Sequence, residues 1–96
     1  MITSFGDRAT EDFYNGIISK HTRHLPSNMN AVTFRKLDMI NAALSVDDLK
    51  SPPGNRLEHL EGDLKGFYST RINDQFRIIF KFVQGNAIKV SILDYH

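Results

Sequence analysis

The chain has 96 residues, of which 41% are hydrophobic and 24% are charged, a balance typical of one small globular domain spanning residues 1–96. It contains no cysteine, which excludes disulfides, thiolate nucleophiles and cysteine-based zinc sites. No apolar stretch reaches membrane-spanning length, and the N-terminus lacks the basic and apolar regions of a signal peptide. We therefore expect a cytoplasmic protein that does not contact membranes.

The N-terminal residues predict a short strand followed by a helix. Residues 2–5 alternate in polarity, as in a strand with one buried face. Asp7 is suited to cap the helix that follows. Four residues are spaced for a single buried helix face, Ala9, Phe13, Tyr14 and Ile17. This helix should end near residues 20–24.

A second helix is predicted to begin at Pro26 and Ser27, with Ser27 as a candidate cap. Its apolar residues recur near the helical period: Val32, Phe34, Leu37, Ile40, Ala43 and Leu44. Three charged residues between them are expected to face solvent, namely Arg35, Lys36 and Asp38.

The second half of the chain predicts a connector over residues 45–55 and then four strands. The connector includes an exposed turn at 52–55. The strands cover 57–60, 67–72, 76–83 and 87–93, and the connections between them are short. The order β-α-α-β-β-β-β therefore predicts an α+β fold, with two N-terminal helices packed on one face of a small, mostly antiparallel sheet.

Side chains alternate between the two faces of the strand predicted at 76–83, and one of these faces is fully apolar. An arginine stands on the other face. The apolar face must lie under the helices, and it comprises Phe76, Ile78, Phe80 and Phe82. Arg77 then projects from the open side of the sheet. Ile79 follows it there and indicates that this side is concave or partly covered. A solvated strand face would explain the arginine, and so would a site that holds an anion.

The charge of the chain is unevenly distributed. The formal net charge is only +1, but residues 64–93 contain five basic side chains and one acidic one. This excess makes the C-terminal third the expected face for a phosphate-rich ligand. The alternative is that lysines such as Lys81 and Lys89 protect strand edges from aggregation.

The C-terminus brings a carboxylate near a histidine. Alternation places Asp94 and His96 on one face of the last strand, where the carboxylate can orient the imidazole. The alternative is a frayed, solvated terminus. A second pair, His21 and His24, has metal-ligand spacing but no accompanying carboxylate or cysteine, so no metal site is predicted.

Four motifs together resemble the HigB-type toxins of the RelE/ParE-like superfamily. They are Pro-Pro-Gly-Asn-Arg-Leu at 52–57, Leu-Glu-Gly-Asp at 60–63, GFYSTRINDQFRIIF at 66–80 and the closing Asp94-Tyr95-His96. The resemblance implies a ribosome-dependent mRNA endonuclease that needs no metal or cofactor. The 2′-hydroxyl of the RNA would attack the adjacent phosphate in the ribosomal A site and leave a 2′,3′-cyclic phosphate. The implied partners are a helix-turn-helix antitoxin of the HigA type and the ribosome with bound mRNA, with DNA contacted only through the antitoxin complex.

The resemblance also implies roles for individual residues. Arg77 matches the family arginine after the turn and would stabilise charge on the phosphoryl oxygens. His96 and Asp94 match the terminal motif and would transfer protons. Tyr95 matches as well and would stack on a base, donate its hydroxyl or pack in the core. Contacts to the RNA backbone would come from Lys65, Arg71 and Lys81.

One position departs from the pattern of some relatives, in which a histidine stands four residues before the glycine of the Gly-Asp turn. Here that residue is Glu58, and His59 follows it. Because a shift of one residue reverses the face of a strand side chain, Glu58 is expected to point towards the site and His59 away from it, unless a bulge restores His59 as a catalytic candidate.

Two alternative functions stay open beside the mRNA endonuclease. One is a gyrase-inhibiting toxin of the same fold, and the other is an inactive corepressor bound to its antitoxin.

Overall fold

The computed structural model describes residues 1–94 of the chain. It contains two α-helices, α1 (Arg8–Tyr14) and α2 (Asn30–Ala42). Four strands follow: β1 (Glu58–His59), β2 (Tyr68–Arg71), β3 (Phe76–Val83) and β4 (Asn86–Asp94). The connections contain short 3₁₀ turns at Ser27–Met29, Val46–Lys50, Pro53–Asn55 and Gly62–Leu64. Neither helix in this part of the chain has the length and apolar character needed to cross a membrane.

The four strands form one sheet in chain order, and every neighbouring pair is antiparallel. This confirms the predicted meander. Residues 2–5 do not form a continuous strand but make isolated parallel bridges to β4, from Ile2 to Ala87 and from Phe5 to Val90. Lys89 has a positive φ of 53° in the part of β4 that these residues approach.

The hydrophobic core lies between the helices and one face of the sheet. Phe76, Ile78 and Phe80 of β3 are buried there against Leu37 and Ile40 of α2. This is the apolar strand face that alternation predicts. We call this side of the sheet the helix face and the other side the open face.

Helix α1 begins as predicted but ends earlier. The Asp7 side chain caps it by accepting a hydrogen bond from the backbone N–H of Thr10 at 2.8 Å. The helix stops at Tyr14, because Gly16 turns the chain with a φ of 74°. The prediction of an end near residues 20–24 is therefore wrong, and Ile17 is half exposed rather than buried.

Helix α2 differs from its prediction in its cap and in its buried face. The chain enters it through the Ser27–Met29 turn, where Ser27 makes no side-chain capping bond. Phe34 and Leu44 are exposed, although the pattern assigned both to the core. Lys36 was expected in solvent and is 7% exposed, because its ammonium group donates a hydrogen bond to the buried side chain of Asn55.

Candidate anion site on the open face of the sheet

Strand register determines which side chains share the open face. Glu58 lies opposite Ser69, Ser69 opposite Ile79, and Arg71 opposite Arg77. Directly paired residues project from the same side of a sheet. All five therefore belong to the face that carries Arg77, away from the core.

Arg77 is buried and held by specific contacts. Its side chain emerges on the open face, yet the residue is only 8% exposed. Its Nε donates a hydrogen bond to Ser69 Oγ at 2.8 Å, and its Nη2 donates one to the Arg56 carbonyl oxygen at 2.7 Å. A carboxylate oxygen of Glu58 lies 3.8 Å from Nη2. These contacts exclude the solvated-face interpretation, and the 7% exposure of Ile79 confirms that this face is covered.

The loop that carries the Arg56 carbonyl is anchored to helix α2 through Asn55. Asn55 is 1% exposed, accepts a hydrogen bond from Lys36 Nζ and donates to the carbonyl oxygens of Leu49 at 3.2 Å and Ser51 at 3.4 Å. Arg56 follows in the left-handed region, with φ 45° and ψ 55°. The Pro-Pro-Gly-Asn-Arg-Leu motif thus aims a backbone carbonyl at Arg77, a role that its turn chemistry alone does not reveal.

The Lys36 ammonium group sits in an unfavourable electrostatic environment. Burial lowers the pKa of Lys36 below its ordinary value of 10.5, and the positive charges of Arg35 and Arg71 lower it further. The hydrogen bond to Asn55 offsets part of the desolvation cost. Lys36 was not among the residues predicted to support the site, because its partner is 19 positions away.

Two guanidinium groups are direct cross-strand neighbours. Arg71 lies opposite Arg77, and like charges in that position repel each other. Arg71 is paired with Asp74, with 2.5 Å between Nη2 and Oδ1, and the Asp74 side chain is almost fully exposed. A bound anion would relieve the repulsion, and the phosphate-binding role of Arg71 stays a prediction.

The two lysines predicted to bind RNA occupy different surroundings. Lys81 is half-buried and lies over the ring of Phe67, with Nζ 5.1 Å from the ring centroid. Lys65 is exposed in the loop before Phe67. Lys81 is therefore held near the open face, whereas Lys65 is exposed in a loop, and the RNA contacts predicted for both stay predictions.

The end of β4 places Asp94 on the other side of the sheet. Arg77 pairs with Leu93, whereas Asp94 pairs with Phe76, so the Asp94 side chain leaves β4 on the helix face. Its two carboxylate oxygens accept hydrogen bonds from the Gln75 side-chain amide at 3.3 Å. Tyr95 and His96 lie outside the described residues, and their predicted roles stay predictions.

His59 lies on the helix face, away from Arg77. It pairs with Tyr68, and the two rings stack with centroids 4.9 Å apart. Tyr68 stacks in turn on Phe80. The expectation that Glu58 faces the site and His59 points away is confirmed, and no bulge brings His59 back. Within residues 1–94, no group of histidine and acidic side chains is arranged to hold a metal ion.

Comparison with known proteins identifies the family. A family model described as the RelE-like toxin of the type II toxin–antitoxin system HigB matches residues 3–96. Toxin HigB-1 of Vibrio cholerae serotype O1 is 46% identical over 96 residues, which cover 100% of this chain and 98% of that protein. Endoribonuclease HigB of Proteus vulgaris is 30% identical over 73 residues, covering 70% of this chain and 79% of that protein.

Solved structures share the fold at lower identity. The YoeB–YefM complex from Staphylococcus aureus has a TM-score of 0.63 at 22% identity, covering 100% of this chain and 98% of the matched chain. The YoeB/ParE toxin from Agrobacterium tumefaciens has a TM-score of 0.51 at 18% identity, covering 100% and 99%. Fold, motifs and full-length similarity agree: the chain belongs to the HigB-like family of RelE-like toxins of type II toxin–antitoxin systems.

Proposed function

We propose that this toxin is an endoribonuclease that cleaves mRNA in the ribosomal A site and thereby inhibits translation. The observation that carries the proposal is the buried guanidinium of Arg77, which is held on the open face beside Arg71. Attack of a 2′-hydroxyl on the adjacent phosphate increases the negative charge on the phosphoryl oxygens. A cation that is already fixed beside them stabilises that charge without reorganising during the reaction.

The contacts that Arg77 makes with residues 1–94 suit this role because they orient the guanidinium. Ser69 and the Arg56 carbonyl are uncharged acceptors, at 2.8 and 2.7 Å. Glu58, an acidic neighbour within residues 1–94, has a half-exposed side chain and stands 3.8 Å away, a separation at which an ion pair in contact with water is weak. Glu58 would serve as the counterion of Arg77 before RNA binds, and a phosphate would take its place.

The remaining steps need proton transfer and RNA contacts. We assign proton transfer at the 2′-oxygen and at the 5′-leaving oxygen to His96, and base stacking to Tyr95. Asp94 leaves β4 on the helix face, so it would act only by orienting His96 and not on the phosphate itself. Arg71, Lys81 and Lys65 would bind the RNA backbone as cations. The RNA supplies its own nucleophile, so the reaction does not require a metal ion.

The proposed partners are the ribosome with bound mRNA and an antitoxin. The relative from Proteus vulgaris is named an endoribonuclease, and a structural neighbour is the heterotetrameric YoeB–YefM toxin–antitoxin complex from Staphylococcus aureus. By analogy, we expect this chain to be neutralised by a helix-turn-helix antitoxin of the HigA type. DNA would be contacted only through that complex.

The test uses purified ribosomes carrying a defined mRNA in the A site, with the same RNA free in solution as a second arm. Arg77→Ala should lower the cleavage rate by about 10²–10³-fold, as expected when a group that stabilises transition-state charge is lost. Arg35→Ala is the matched control, because Arg35 is exposed on helix α2. Cleavage by Arg77→Ala at the parental rate would contradict the mechanism, and equal cleavage of free RNA would contradict ribosome dependence.

The presence of Glu58 beside Arg77 favours a second candidate, an inactive corepressor. A carboxylate on the open face keeps the arginine paired in the absence of RNA. In that case the wild-type chain expressed without its antitoxin would not arrest growth. Growth arrest by the wild-type chain decides for the nuclease, provided that the Arg77→Ala variant does not cause it and that gyrase supercoiling is unaffected.

A further inference from the structure

We propose that Ser69 is a positioning residue that sets the orientation of the Arg77 guanidinium for the reaction. This inference rests on the proposed function, since it concerns the same site. Ser69 touches no substrate in it and acts only through Arg77. The residue lies in the family motif around β2, but its contact with Arg77 became visible only in the structure.

The geometry at Ser69 is specific. The residue is 0% exposed, and its Oγ accepts the hydrogen bond from Arg77 Nε at 2.8 Å. Nε and Nη2 are adjacent donors on one edge of the planar guanidinium. Ser69 holds the first and the Arg56 carbonyl holds the second. Two contacts on one edge fix the plane of the group, and the directions of its other three N–H donors follow.

The position of Ser69 in the sheet explains why a serine fits there. Ser69 stands in β2 between Glu58 of β1 and Ile79 of β3. The Arg77 side chain reaches across from β3, and its Nε contacts the Ser69 hydroxyl. A small side chain leaves room for the long arginine, and alanine in its place would keep the room but lose the acceptor. The Arg77 Nε–H would then be buried without its partner, and the guanidinium would be free to rotate about its remaining contacts.

Loss of orientation should reduce turnover more than substrate binding. The charge of Arg77 is retained in Ser69→Ala, so attraction of the RNA persists, whereas charge stabilisation in the transition state depends on where the donors point. We expect kcat on programmed ribosomes to fall by about 10–10²-fold with KM changed by less than about threefold. Ser69→Thr keeps the hydroxyl but adds a buried methyl group beside the arginine, so it should recover only part of the rate that Ser69→Ala loses.

Thr70 offers a matched control one residue away. It projects to the helix face opposite Ile78, and its buried hydroxyl has no hydrogen-bond partner within residues 1–94. Thr70→Val removes this hydroxyl from the same strand and should leave kcat unchanged. Melting temperatures of all variants identify the range in which each is folded, and the assays are run within that range.

A spectroscopic measurement separates positioning from general damage to the fold. The Arg77 Nε–H proton is followed by nitrogen-15 NMR in the toxin without ribosomes. Its exchange with water should accelerate at least tenfold in Ser69→Ala, but not in Thr70→Val. The inference is overturned if Ser69→Ala and Thr70→Val have the same kcat, or if kcat falls while the Nε–H exchange is unchanged. Failure of the proposed function shows in a different variant: Arg77→Ala would keep its activity, and the positioning role would then fall with it.

Discussion

The connection between Asn55 and helix α2 leads to a quantitative prediction about stability. Replacing Asn55 with alanine removes the acceptor of the Lys36 ammonium group and the donor to two loop carbonyls. The ammonium belongs to a residue that is 7% exposed, so water cannot easily replace the lost partner. Leaving a buried hydrogen-bonding group without its partner typically costs about 1–3 kcal/mol, and more when that group is charged. Because Lys36 retains some access to solvent, we expect about 3 kcal/mol.

This loss should be visible in both thermal and urea unfolding. For a chain of this size, each 1 kcal/mol lowers the melting temperature by about 4–8 °C, so Asn55→Ala should melt roughly 12–24 °C lower. The slope of the urea transition should not change, since the fold is the same. Asn28→Ala is the control, because Asn28 is exposed in the turn before α2, and its effect should stay within about 0.5 kcal/mol.

A double-mutant cycle tests the physical reason. If the cost comes from the Lys36 ammonium group that has lost its acceptor, then Lys36→Met should lower the free energy of unfolding less in the Asn55→Ala background than in the wild-type chain. The difference should be at least about 1 kcal/mol. Strictly additive effects would refute the reasoning, and so would a loss below about 1 kcal/mol in Asn55→Ala alone.

Three further predictions concern buried or paired polar groups. Because the pKa of Lys36 is lowered in the folded chain, the unfolded chain keeps this proton to higher pH. The free energy of unfolding should therefore rise as pH approaches 10.5 from below. Urea midpoints measured on Lys36→Met should lack this rise. Burial and the hydrogen bond to Asp38 raise the pKa of Tyr14 to about 12, so the free energy of unfolding should fall between pH 10 and about 12. Tyr14→Phe should remove that fall. An absorbance titration in which Tyr14 ionises near pH 10 would contradict this prediction. Thr33→Val should raise the free energy of unfolding by about 1 kcal/mol, since its buried hydroxyl has no partner within residues 1–94; a destabilised variant in urea would contradict this.

The sheet could be predicted from the sequence because its pattern is local. Alternation along residues 76–83 gave both the bounds of β3 and the face of Arg77, and the structure confirms both. The exchange of Glu58 and His59 between faces followed from the same period of two. These predictions need only the direction of successive side chains, which the strand geometry determines.

The face of the sheet on which Asp94 lies depends on a β-bulge that the sequence pattern does not predict. From the turn pair Val83–Asn86, uninterrupted pairing would set Arg77 opposite Ile92 and would leave Asp94 on the open face. The register shifts between Ile79 and Lys81, and Arg77 lies opposite Leu93 instead. One additional residue in β4, near the positive φ of Lys89, therefore moves Asp94 to the helix face.

The supports of Arg77 were missed for a different reason. Two hydrogen bonds join residues about 20 positions apart, one from Lys36 to Asn55 and one from Arg77 to the Arg56 carbonyl. The periodic patterns of helices and strands do not predict contacts between residues so far apart in the chain. A helical pattern assigns a lysine to solvent unless a buried partner is known. The one available sign was the conjunction of two prolines, a glycine and an asparagine in a short loop, which indicates a fixed backbone but not its target.

The parallel bridges between residues 2–5 and β4 have a consequence for how the toxin assembles during synthesis. Ser4 and Lys89 are 85 positions apart and share a hydrogen bond, so the first residues leave the ribosome long before their neighbours exist. Contacts across such a separation form slowly, because the intervening chain must be ordered first. Residues 2–5 should therefore dock late in folding, and their contacts with β4 should open early in hydrogen exchange.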